Sequence, residues 1–150
     1  MVNYDIVIDA NGKILGRLAS FVAKRLLEGK RVAIVNAEKA IISGNPETIL
    51  EKYKKRRMIE GKPKPTKGPV QPRTPDRIVW KTIRGMLPMK KAKGREALRR
   101  LRVFIGVPYE LKNVEFFELP LEYTVENLRP KKRKKEVTVY WLAKSLGWKG

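Results

Sequence analysis

A chain of 150 residues, 42% of them hydrophobic, is one domain's worth of sequence with enough apolar content to bury a core, which argues against disorder of the whole chain. Thirty-five Lys and Arg against fifteen Asp and Glu give a net charge of +20, a surplus that repels itself in isolation and implies a polyanionic partner. Without cysteine or histidine the chain has no disulfides, no thiolate chemistry, no zinc site of N/S type and not the commonest general base.

The N-terminal stretch MVNYDIVID carries acids where a secretory signal would carry lysines, and no apolar run approaches the roughly 20 residues that span a bilayer. A cytosolic protein with no membrane partner is therefore expected. Residues 4–9, YDIVID, are β-branched and alternate, so they predict a strand. The following DANGKILGRLAS (9–20) has the look of a phosphate-binding loop but lacks its chemistry. Gly12 and Gly16 enclose three residues where G-x-x-x-x-G-K-[ST] needs four, and Arg17 and Leu18 supply neither the lysine nor the hydroxyl. Asn11, Ile14 and Leu15 likewise break G-x-G-x-x-G. The stretch reads as a strand-to-helix connection.

From Leu15 the apolar residues Leu15, Leu18, Ala19, Val22, Ala23 and Leu26 form the stripe of an amphipathic helix. Asn11 or Asp9 is the expected cap, Gly29 the expected stop, and Arg17, Lys24 and Arg25 face outward. RVAIVNA (31–37) has the composition of a fully buried strand, and KAIIS (39–43) is a possible second short strand. Together these predict a right-handed βαβ unit with a parallel sheet. SGNPET (43–48) starts a helix with Asn45 as cap and Pro46 in first position, turning Ile49, Leu50 and Tyr53 inward. The proline-rich, basic stretch 61–75 lacks apolar periodicity and predicts an extended arm that becomes ordered on its partner.

Thr74 and Pro75 open a further helix with Ile78, Val79, Ile83 and Met86 spaced for burial, ending before Pro88. Residues 89–100 predict a basic turn and a short helix, LRVFIG (101–106) a buried strand, and 107–128 irregular or partly extended chain. VTVYWLAKSLGW (137–148) predicts a terminal helix packing Val137, Tyr140, Trp141 and Leu146. The whole reads as a single α/β domain, helices around a mostly parallel sheet of about four strands, with a basic arm at 61–75 and a basic run before the C-terminal helix.

No pattern of residues points to catalysis, a cofactor, a small-molecule substrate or a metal. Glu115, Glu118, Glu122 and Glu126 lack the D-x-D-x-D-G spacing of a calcium loop and read as surface charge. The basic residues instead fall into blocks. Residues 51–100 carry eighteen basic against four acidic side chains, a net of +14, where 1–50 carry a net of +2. The candidate phosphate ligands are Lys54, Lys55, Arg56 and Arg57; Lys62, Lys64, Lys67 and Arg73 of the arm; Arg77, Lys81 and Arg84, which share one outward helical face; Lys90, Lys91, Lys93, Arg95, Arg99 and Arg100; and Lys131, Lys132, Arg133, Lys134 and Lys135. Arginine adds bidentate phosphate contacts and stacking on bases. Trp80 falls either beside the buried stripe or on the side of Arg77 and Arg84, and no aromatic pattern of a single-strand-binding sheet appears.

Four pieces of the chain, DANGKILGRLAS (9–20), VNAEKAIISGN (35–45), RTPDRIVWKTIRGMLP (73–88) and GREALRRLRVFIGVP (94–108), occur in the order in which they occur in the large-subunit ribosomal protein L-thirteen family, which the chain resembles over essentially its whole length. The basic arm and the ending WLAKSLGWKG resemble the archaeal and eukaryotic branch. A stop at Gly150, without the longer eukaryotic extension, leads to the archaeal type as the expectation. The resemblance implies a three-layer α/β/α fold with a four-stranded parallel sheet and a non-enzymatic role in the large subunit. It implies large-subunit rRNA and neighbouring ribosomal proteins as partners, with any phosphate at Lys13 or Arg17 belonging to RNA. Two other classes share part of the pattern. A DNA-compacting protein would bind duplex DNA as well as structured RNA at equal salt, and a nucleotide-binding enzyme would bind ATP saturably.

Overall fold

The computed structural model describes residues 4–58, 74–119 and 136–149. Within them, strands β1 (Ile6–Asp9), β2 (Val32–Val35) and β4 (Leu101–Val103) form a parallel sheet in the order β1-β2-β4, with Ile6 beside Val32 and Ile34 beside Val103. The central strand β2 is buried at every residue, as a parallel strand covered on both faces must be. Helix α1 (Leu15–Leu27) joins β1 to β2 and buries all six residues of the predicted stripe. It stops in a Schellman turn at Gly29, whose φ is +94°: the Gly29 N–H donates to the Leu26 carbonyl and the Lys30 N–H to that of Arg25, both at 3.1 Å.

The start of α1 differs from expectation. Ile14 occupies the cap position with no side-chain hydrogen bond. The Asp9 carboxylate instead accepts from the Asn11 N–H at 2.9 Å and from Asn36 Nδ2 at 3.0 Å, tying the two strand ends together. Arg25 also departs from a fully outward position. It is half-buried, with its guanidinium 5.0 Å from the Phe21 ring centroid and 3.0 Å from Glu28.

Among the described residues the parallel sheet has three strands, one fewer than expected. Strand β3 (Ile41–Ser43) pairs antiparallel with β5 (Glu136–Thr138) in a separate two-stranded sheet, Ile41 opposite Thr138. A 3-10 turn at Ala37–Lys39 carries the chain off the end of β2, so that Ile41 donates to the Lys13 carbonyl at 2.8 Å and reaches the main sheet's surroundings through a bridge to Ile14. The same pairing corrects the predicted terminal helix. Val137 and Thr138 belong to β5, and α5 (Val139–Ser145) begins after them, capped by Thr138 Oγ1, which accepts from the Trp141 N–H at 3.1 Å. Trp148 follows a second glycine turn, half-buried against the core.

Helix α2 (Pro46–Met58) starts as expected, the Glu47 N–H donating to Asn45 Oδ1 at 2.9 Å, with Ile49, Leu50 and Tyr53 packed against the core. Helix α3 (Pro75–Arg84) buries Ile78, Val79 and Ile83. Met86, expected inside, is exposed, and Leu87 is buried in its place. The helix ends at Arg84, so helical spacing no longer governs which way residue 86 points. Helix α4 (Ala92–Arg99) leads into β4.

One large apolar cluster joins Ile8, Val32, Ile34 and Leu101 of the sheet to α1, α3, α4 and α5. A smaller cluster on the other face holds Val7, Ala33, Val35 and Leu111, with Phe104, Val107 and Phe116 against it. That second face is covered, among the described residues, by extended chain and a 3-10 turn at Tyr109–Leu111 rather than by a helical layer. The Phe117 N–H donates to the Val7 carbonyl at 2.7 Å, which seals the outer edge of β1. The α/β class thus holds, with helices packed on one face of a three-stranded parallel sheet. The predicted arm lies almost wholly outside the described residues, as does the basic run 129–135.

Candidate nucleic-acid interface

Helix α3 is anchored by Ile78, Val79 and Ile83, all within 1% of full burial. Its opposite side carries Arg77 and Arg84, both exposed, with the half-buried Lys81 between them. The Arg77 guanidinium lies over the Trp80 ring at 4.9 Å, so the half-buried indole is both beside the core and on the arginine side. A guanidinium placed over a ring can still donate hydrogen bonds outward.

The basic surface continues through the turn that follows. Leu87 anchors the chain in the core, the turn after it presents Lys90 and Lys91 to solvent, and the first turn of α4 presents Lys93. Arg95 is exposed but already engaged, its Nη1 donating to the Met89 carbonyl at 3.2 Å and that of Lys90 at 3.4 Å. It therefore shapes the lysine turn. Gly94, buried in the first half of α4, lets that helix lie against the Pro88 carbonyl: a Cβ at this position would stand 2.2 Å from the oxygen. Among the described residues, Arg77, Arg84, Lys90, Lys91 and Lys93 form no ion pair with a carboxylate.

The other predicted ligands are distributed more widely. Lys54 and Lys55 are exposed on α2; Arg56 and Arg57 lie on the same helix, with side chains outside the described set. Arg17 is exposed on α1, whereas Lys13 lines a cleft of about 990 Å³ together with Asp5, Asp9, Glu115 and Glu118, an acidic setting for a residue expected to meet phosphate. Arg99 is exposed. Arg100 is half-buried, and its Nη1 donates to the Leu26 carbonyl at 3.0 Å, closing the last turn of α1. Lys62, Lys64, Lys67 and Arg73, and Lys131, Lys132, Arg133, Lys134 and Lys135, fall outside the described residues. Sequence reading passed over Arg31 and Arg102. Both are exposed, and both join Arg99 and Arg100 around one cleft. The signal for Arg102 was the alternation of LRV, which turns Leu101 inward and the arginine out.

Among the described residues no group of acidic side chains is disposed to hold a metal ion, and no helix is long and apolar enough to cross a membrane. A packed α/β scaffold displaying a cationic helix face and a braced lysine turn is a surface suited to a polyanion. Residues 4–110 match the family model described as ribosomal protein L13. Relatives include the large ribosomal subunit protein uL13 of Archaeoglobus fulgidus, 48% identical over 96% of this chain and 88% of its own length. Those of Aeropyrum pernix and Methanosphaera stadtmanae are 45% and 46% identical over 97% and 95% of this chain, covering 92% and 97% of their own lengths. The chain belongs to the ribosomal protein L13 family.

Proposed function

We propose that this protein is a structural constituent of the large ribosomal subunit, binding large-subunit rRNA and supporting subunit assembly. The observation that carries the reading is the α3 face: arginines seven residues apart, at Arg77 and Arg84, stand on a helix whose other side is locked into the core. Such a face suits folded RNA, recognised by shape and backbone rather than by reading bases in a groove. Exposed apolar side chains at Tyr109 and Val114, on either side of the Leu111 that packs into the second cluster, support contact with neighbouring ribosomal proteins on the face away from the α3 helix layer.

Sedimentation of cell extract should carry the protein with the large subunit at low salt and release it at high salt. A protein that stays at the top of the gradient in low salt would sink the reading. The α2 cluster gives a graded test. Changing Lys54, Lys55, Arg56 and Arg57 to glutamine should weaken RNA binding and flatten its log–log salt dependence by roughly 0.7–0.9 for each phosphate no longer neutralised. An unchanged slope would assign these side chains to solvent or to a protein neighbour.

A further inference from the structure

At the N-terminal ends of the three parallel strands, arginines from separate parts of the chain line one cleft of about 410 Å³. Arg31 stands just ahead of β2, Arg99 and Arg100 at the end of α4, and Arg102 on β4; Tyr4 and Glu96 complete the lining. Topology brings them together. The sheet sets Val32 beside Leu101, so the residues flanking those two positions become neighbours although the chain separates them widely.

The cleft stands on fixed backbone. The Arg31 N–H donates to Asp5 Oδ2 at 2.8 Å, and Arg100 is tied to the Leu26 carbonyl at 3.0 Å. Among the described residues none of the four arginines forms an ion pair, and the carboxylates of Glu96 in the lining and of Asp5 on the Arg31 N–H still leave a positive excess. Like charges gathered in a concavity raise the local potential and favour an anion there. A convex helix face such as that of α3 can lie along a duplex, but a duplex cannot enter a pocket of this size, which is near the lower end of those that enclose a small molecule, about 300–1,000 Å³. Planar guanidinium groups and a phenol ring are also the surfaces on which unstacked bases rest.

We infer that this cleft seats an unpaired nucleotide of RNA, its flanking phosphates on Arg31, Arg99 and Arg102 and its base against Tyr4 and a guanidinium plane. The inference rests on RNA being the partner, and it adds a site distinct from the α3 face, with Arg31 and Arg102 as ligands.

The test titrates the full chain with two hairpin RNAs, one fully paired and one identical but for a single bulged nucleotide, across a range of salt. The native protein should favour the bulged hairpin by roughly tenfold, within the range of one base stack. Arg31→Gln with Arg102→Gln, both exposed, should unfold at the native temperature, bind the two hairpins equally, and have a salt slope on the bulged RNA shallower by about 0.7 for each phosphate left unneutralised. A double variant that keeps the preference and the slope overturns the cleft while leaving the α3 reading intact. So does one that binds both RNAs normally yet fails to enter large subunits, which would assign the cleft to an acidic segment of a protein neighbour. A native chain that binds neither hairpin removes the RNA reading itself.

Discussion

Alanine at Ile83 should destabilise the fold by about 2–5 kcal/mol, whereas alanine at the adjacent Arg84 should leave unfolding nearly unchanged and impair incorporation into large subunits. Ile83 is fully buried, in a cluster shared by the sheet, α1, α3 and α5, so truncating it loses transfer free energy and leaves a cavity that packed neighbours cannot close. Arg84 is exposed at the last residue of α3. Its stabilising contribution there is the interaction of a cation with the helix C-terminus, about 0.3–1 kcal/mol. Thermal or urea unfolding of the two variants, set beside their recovery in assembled subunits, separates the roles. An Arg84→Ala protein that unfolds early yet assembles normally when folded would make that arginine structural and the α3 interface wrong.

Alanine at Gly94 is the second large effect, and two opposing contributions decide its sign. Within a helix, Gly→Ala ordinarily gains about 0.8–1.0 kcal/mol. Here the added Cβ would lie 2.2 Å from the Pro88 oxygen and 2.5 Å from its carbonyl carbon, both backbone atoms that cannot swing aside as a flexible side chain would. Overpacking of this kind costs about 1–3 kcal/mol or more, so the steric contribution should win. The chain must relieve the clash by shifting either α4 or the turn after Pro88. Because that turn presents Lys90 and Lys91, the variant should lose both stability and RNA affinity. A Gly94→Ala protein with a raised unfolding temperature would show that α4 does not approach Pro88 so closely.

These two positions differ in how far the sequence alone reveals them. Ile83 follows from spacing, since Ile78, Val79 and Ile83 repeat on one side of a helix opened by Thr74 and Pro75. The same reasoning finds the six buried residues of α1, the uniform burial of β2 and the Asn45 cap of α2. Each is a local pattern: burial repeats at every turn of α1 and at every residue of β2, and the cap involves only residues two positions apart. Membership of the ribosomal protein L13 family is similarly carried by long contiguous stretches. Charge, too, is legible as a total and as blocks, which is enough to point to a polyanion.

Gly94 carries no such signal, because its neighbour is the Pro88 carbonyl, placed there by a turn and not by any period. Met86 shows the same limit: just past the helix end, its helical spacing no longer sets its direction, and Leu87 takes the core position. The partnership of β3 with β5 was equally invisible, since three-residue strands far apart in the chain offer too few positions for alternation to specify a partner. Nor does charge counting distinguish Arg100, which closes the end of α1, from Arg99 beside it in solvent. The sequence by itself determined which faces are buried, how much positive charge there is and what family the chain belongs to. Only the tertiary structure decided which strands pair and where Arg31 and Arg102 meet, because those outcomes depend on contacts between segments that no local repeat connects.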